Sequence, residues 1–276
     1  MTRIVWLCAR HELLLATRSR WLQMFAAIFA GLALLVAGSG YVLSGGHGLQ
    51  DFARTAVSLV QLVLLIVPLA ALVFGVLVLS SDRGAAELLY AQPVPRAAIL
   101  AGRVVGLFAA LIAAELIGFG AAGLAVQWSE GSEGAAQFLS AVVLAVALTA
   151  VFLAIAAAIA GGPPGHRARA LAVALLVWFT SVVLFDIAAL GVASLLRSGA
   201  ASRVLMIATL VNPVDAARTG AYLAIEGTSA FGGASLALFR FTGSAAAAAW
   251  LIGASVIFWI VAPAWVAAWK LSRSDV

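Results

Sequence analysis

Long apolar runs alternate with short polar stretches along the chain, and six runs stand out at residues 21–43, 56–79, 104–128, 138–160, 171–195 and 245–269. As a helix, each run matches the thickness of a bilayer's hydrocarbon core and satisfies its own backbone there. The pattern predicts an all-α, polytopic membrane protein with six transmembrane helices in a single domain spanning residues 1–276. Pro68 and several glycines interrupt the runs, as lipid-embedded helices tolerate when neighbouring helices re-satisfy the backbone. Trp21, Trp128 and Trp269 fall at run ends, where amphipathic rings sit at headgroup level. Composition agrees: 64% of the 276 residues are hydrophobic and 10% charged, against about 25% charged in soluble domains.

The polar connections set the orientation. Arg3, Arg10, Arg18 and Arg20 precede the first span, Arg83, Arg96 and Arg103 fill the second connection, Arg167 and Arg169 the fourth, and Lys270 and Arg273 the tail. Only Arg54, Arg197, Arg203, Arg218 and Arg240 lie on the opposite side. Basic residues near span ends are retained in the cytoplasm, so both termini are expected there, with residues 1–20 as a cytoplasmic helix. A cleavable signal is not expected, because the first apolar run is too long for a signal core. The net charge of +5 is dispersed over span ends, which gives nucleic acid no basic patch.

Several chemistries are excluded by residue type. Lys270 is the only lysine and is followed by Leu271, so no Walker A loop can be built and any ATP and Mg must be bound by a partner. Cys8 stands alone, and His11, His47 and His166 lie in separate connections, so neither a disulfide nor a soft-metal centre is expected. The chain is expected to have no cofactor, no catalytic residue and no metal ligand of its own.

Two connections carry more pattern than a turn requires. Residues 80–103 read as two short helices: Ala85, Leu88 and Leu89 make an apolar stripe beside Arg83 and Glu87, Pro93 and Pro95 break it, and Ile99 and Leu100 lie between Arg96 and Arg103. Such a hairpin is either anchored to lipid headgroups or a lever that receives force from a soluble protein. In residues 196–244, Asn212 caps a helix with Pro213 at its first position and Asp215 at its third. This connection reads either as re-entrant structure at the outer mouth or as a docking platform. For a platform, Tyr222, Phe231 and Phe239 would be apolar anchors and Asp215 and Arg218 part of a polar rim.

Glu115 and Asp186 lie inside spans, and neither has an arginine one turn away. A carboxylate at that depth is expensive unless neutral or paired. Each therefore fixes packing through a protonated or hydrogen-bonded side chain, or marks a substrate or proton path, for which Thr180 and Ser181 favour Asp186.

The loop residues Glu87, Leu88, Leu89, Pro93 and Arg96 to Arg103 resemble the coupling segment of type-2 ABC exporter permeases. A narrower resemblance, to permeases of the NosY type, covers almost the whole chain. It rests on Arg10, Glu12-Leu13, Arg18 and Arg20-Trp21; Ile117-Gly118-Phe119-Gly120; Val177-Trp178-Phe179 and Leu184-Phe185-Asp186; and Asn212-Pro213 with Asp215 and Arg218. The resemblance implies a homodimer in the bacterial inner membrane, worked by a separate cytoplasmic ABC ATPase seated on residues 80–103. It also implies a periplasmic subunit of NosD type and a role in metal-centre assembly, handling copper or sulfur, during nitrous oxide reductase maturation in denitrification. Export of a lipid or hydrophobic small molecule is the alternative within that architecture, and a non-transporting anchor fits less well.

Overall fold

The computed structural model describes residues 2–43, 52–80, 94–130, 135–161, 166–226 and 241–273. Their helices are α1 (Thr2–Arg18), α2 (Arg20–Leu43), α3 (Phe52–Leu79), α4 (Arg96–Glu130), α5 (Ala135–Ala160), α6 (Arg167–Phe179), a π-helical segment (Thr180–Leu184), α7 (Phe185–Ser194), α8 (Ser198–Val211), α9 (Pro213–Glu226) and α10 (Ala245–Arg273). Among the described residues, six spans are long and apolar enough to cross a membrane: α2, α3, α4, α5, the α6–π–α7 unit and α10.

The bundle has two distinct ends. At one, Leu79 of α3, Ala157 of α5 and Ala267 of α10 pack together with Leu100 and Val104 of α4, and Lys270 Nζ donates to the Ala158 carbonyl at 2.9 Å. Such bonds satisfy carbonyls that a helix C-terminus leaves without partners. At the other end, Ala216 of α9 packs on Ala248 and Ile252 of α10. Ser255 Oγ and Trp259 Nε1 of α10 donate to the last carbonyls of α8, those of Leu210 and Val211, at 2.6 and 3.0 Å.

Small residues set the closest approaches, as expected where lipid supplies no hydrophobic drive for association and packing must do so. A methyl on Gly102 or Gly106 of α4 would overlap Cys8, Ala9 and Glu12 of α1. One on Gly118 would lie 2.5 Å from the Phe29 ring of α2, and one on Gly75 of α3 2.5 Å from Ala156 Cβ of α5. The Phe29 ring also meets Phe119 edge-on at 5.4 Å.

Three expectations change. Residues 96–103 are not a separate short helix but the first two turns of the 35-residue α4. After Pro95 nothing in that stretch breaks a helix, and the charge of Arg103 finds partners where it stands. The amino-terminal helix ends at Arg18, and α2 starts at Arg20 after a break at Ser19. The fifth span is interrupted by the π segment.

Candidate functional site

Among the described residues, three polar groupings lie within the apolar bundle, and each joins different helices. The first ties α1 to the bundle. Ala9, Glu12 and Ala16 recur at helical spacing and form the buried face of α1, which lies on the glycines of α4. Arg103 Nε donates to Glu12 Oε2 at 3.1 Å, with side chains only 14% and 9% exposed, and its Nη2 donates to the carbonyl of Val78 near the end of α3. One guanidinium thus joins three helices at the α1 end. Ile99 is buried one turn earlier, and Leu100 and Arg96 are half-buried. Arg83, Glu87, Leu88 and Leu89 lie outside the described residues.

The second grouping sits between α4 and α5. Thr149 Oγ1 donates to Glu115 Oε1 at 2.6 Å, while Glu115 Oε2 is buried without a partner. The fully buried Leu111 of α4 and Leu148 and Phe152 of α5 belong to the same core.

The third grouping fastens α9 to the fifth span. Asn212 adopts extended backbone (φ −92°, ψ 119°) and its Oδ1 accepts from the Val214 amide at 3.1 Å, so the helix start legible in the sequence is present. Arg218 Nη2 donates to Asp186 Oδ2 at 2.8 Å and Asp215 Oδ1 at 3.1 Å. Asn212 Nδ2 donates to Asp215 Oδ2 at 3.2 Å and to the Ser181 carbonyl at 2.8 Å. Gln61 Nε2 of α3 donates to Tyr222 Oη at 2.5 Å.

This corrects the expectation of an outward polar rim. Asn212 and Asp215 are 2% and 8% exposed, Pro213 is buried, and Arg218 and Tyr222 are half-buried with inward partners. A capped helix packed on a bundle turns its polar first turn inward when a carboxylate of the span is there to be paired. Phe231 and Phe239 lie outside the described residues. Asp186, without an arginine on its own helix, receives one from α9, 32 residues along the chain.

Burial pushes the Asp215 carboxyl up from its ordinary 3.8 to about 7; Arg218 and the Asn212 amide oppose the rise, and Asp186 adds to it. Between those values the folded chain holds a proton that the unfolded chain has lost. The stabilising contribution is therefore complete below 3.8 and disappears as pH rises through about 7. Asp215→Asn is expected to remove this slope. Melting temperatures of the two proteins from about pH 5 to about pH 8 test it, and equal slopes would contradict it.

Apolar helices long enough to cross a membrane, joined by internal polar contacts, make the chain a polytopic membrane protein. The chain belongs to the ABC-2 family of transporter proteins, whose profile matches residues 6–276. It is 34% identical over 218 residues to a Pseudomonas aeruginosa protein named "Probable ABC transporter permease protein NosY", covering 77% of this chain and 79% of that one. A protein of the same name from Stutzerimonas stutzeri is 35% identical over 239 residues, covering 84% and 86%. The NosY-type resemblance carried by short motifs is therefore homology over most of the chain, and its general role is that of an ABC transporter permease.

Proposed function

We propose that this chain is the membrane subunit of a bacterial inner-membrane ABC transporter. It works as a homodimer, with both termini in the cytoplasm, and transmits the cycle of a separate ATPase, which binds the ATP and Mg, to a periplasmic subunit of NosD type. Its service is metal-centre assembly in nitrous oxide reductase, with copper or sulfur handled by the periplasmic subunit. The observation that carries the reading is the Arg103 joint: the last turns of the coupling stretch 80–103 are continuous with a span and tied to α1 and α3 at one end of the bundle. A push delivered there moves three helices together. The packed α8–α9 pair lies at the opposite end, and the connection to which it belongs, residues 196–244, is the one that docks the periplasmic subunit. Asn212, Pro213, Asp215 and Arg218 contribute by holding α9 on the bundle rather than by touching the partner.

The test is reconstitution with the ATPase and the periplasmic subunit. The chain alone is expected to hydrolyse no ATP. Leu88→Asp with Leu89→Asp should cut ATPase capture at least about tenfold, the loss expected when apolar anchors are replaced by charge. Undiminished capture and turnover would remove the lever. Normal assembly without capture of the periplasmic subunit would shift the reading to export of a lipid or hydrophobic small molecule.

A further inference from the structure

The fifth span widens into a π-helix over Thr180–Leu184, closed by the Phe185 amide donating to the Thr180 carbonyl. Such a turn holds one residue more than an α-turn, is rarely stable by itself and concentrates at functional sites. Here its outside contacts are few and specific. The Ser181 carbonyl accepts from Asn212 Nδ2 at 2.8 Å, and Asp186, two residues past the segment, meets Arg218 at 2.8 Å. Ser181 Oγ turns back to the Val177 carbonyl at 2.8 Å. Val182 packs against the main core, but none of residues 180–184 is fully buried, and Phe179, Leu184 and Ile187 are exposed.

If the segment re-closed as an α-helix without losing a residue, everything beyond it would turn by about 100°. Asp186 would swing off Arg218, and the Ser181 carbonyl would move away from Asn212. Both contacts are therefore specific to the π register. Arg218 reaches both carboxylates through Nη2, while its Nε is buried without a partner.

We propose that Asn212 and Arg218 are positioning residues that hold the fifth span in its π register, and that π-to-α exchange in this segment is the joint between that span and the α8–α9 pair. The first half concerns the chain alone. The second rests on the reading of the chain as a permease driven by a separate ATPase.

Hydrogen–deuterium exchange on the purified chain in lipid nanodiscs tests the first half without any partner. Asn212→Ala and Arg218→Gln are expected to speed amide exchange across residues 180–186 on the order of tenfold, with α4 unchanged. The exchanged pair Asp186→Arg with Arg218→Asp should restore protection. Unchanged exchange in both single variants, or equal loss throughout the bundle, would overturn the positioning role. The second half is tested by deleting Val183, which removes the extra residue and keeps both flanking helices in register. The deletion protein should melt like the parent and, in the assembled complex, hydrolyse ATP without maturing the target enzyme. Full maturation by the deletion protein would overturn the joint. Loss of ATPase capture by the unaltered chain would instead count against the permease reading while leaving the exchange result standing.

Discussion

Charge reversal at Arg103 is expected to detach α1 from the bundle and to remove about 3–5 kcal/mol of stability, the usual cost of breaking a buried ion pair by altering one partner. Arg103→Glu would set a second carboxylate against Glu12, whose side chain is only 9% exposed, and would take the donor from the Val78 carbonyl. The adjoining seam gives no alternative seat, because Gly102 and Gly106 already lie against α1 with no space for a methyl. Proteolysis at Arg10, exposed on the outer face of α1, should become rapid while the spans stay intact, and the melting temperature should fall. Glu12→Arg combined with Arg103→Glu should recover part of the loss, restoring the pair but not the bond to α3. A single variant that melts and resists protease like the parent would show that the glycine seam alone holds α1. Within an assembled transporter the same variant should bind ATPase poorly, since the coupling stretch would have lost its brace.

The second large effect is expected at Glu115, which is 2% exposed. Glu115→Gln keeps the shape and an acceptor for the Thr149 hydroxyl, so it should change stability by less than about 1 kcal/mol. Glu115→Lys puts an ammonium among leucines and a phenylalanine at membrane depth, a placement that costs about 2.5–3.5 kcal/mol even on lenient insertion scales. That protein should fail to accumulate. Glu115→Leu falls between, because Thr149 can turn its hydroxyl to a carbonyl one turn back in its own helix. Expression and melting of the three variants give the order. A Gln variant that folds well but transports nothing would show that the carboxyl serves the transport cycle rather than packing alone.

The spans were legible because lipid imposes a length and a polarity on every crossing segment, and the start of α9 because Asn212-Pro213 is a local signal. The pairs Arg103 with Glu12 and Arg218 with Asp186 were not, since each joins helices that meet only in the folded bundle, and reasoning one turn away along a helix cannot find them. A faint signal existed for the second: Arg218 sits among alanines on a helix otherwise built for burial, so it needed an anion from another element. Inward rotation of Asp215 followed from the same pairing. The π segment had no decisive local mark, although Thr180, Val182 and Val183 form a β-branched run that favours α-helix weakly. Continuity of α4 through Arg103 is not legible along the chain, because the carboxylate that receives its charge, Glu12, stands on another helix.

The glycine contacts also divide the molecule mechanically. Where Gly75, Gly102, Gly106 and Gly118 bring α1 to α5 into contact, the packing has almost no compliance, and that part behaves as a frame. The fifth span is hardly buried in the chain, and single polar bonds, Trp178 to Leu65 and Arg218 to Asp186, are among its ties to the frame and to α9. Under load such a body does not deform evenly: the frame carries displacement almost unchanged, and the strain collects in the leaf that hangs from it by a few hinges.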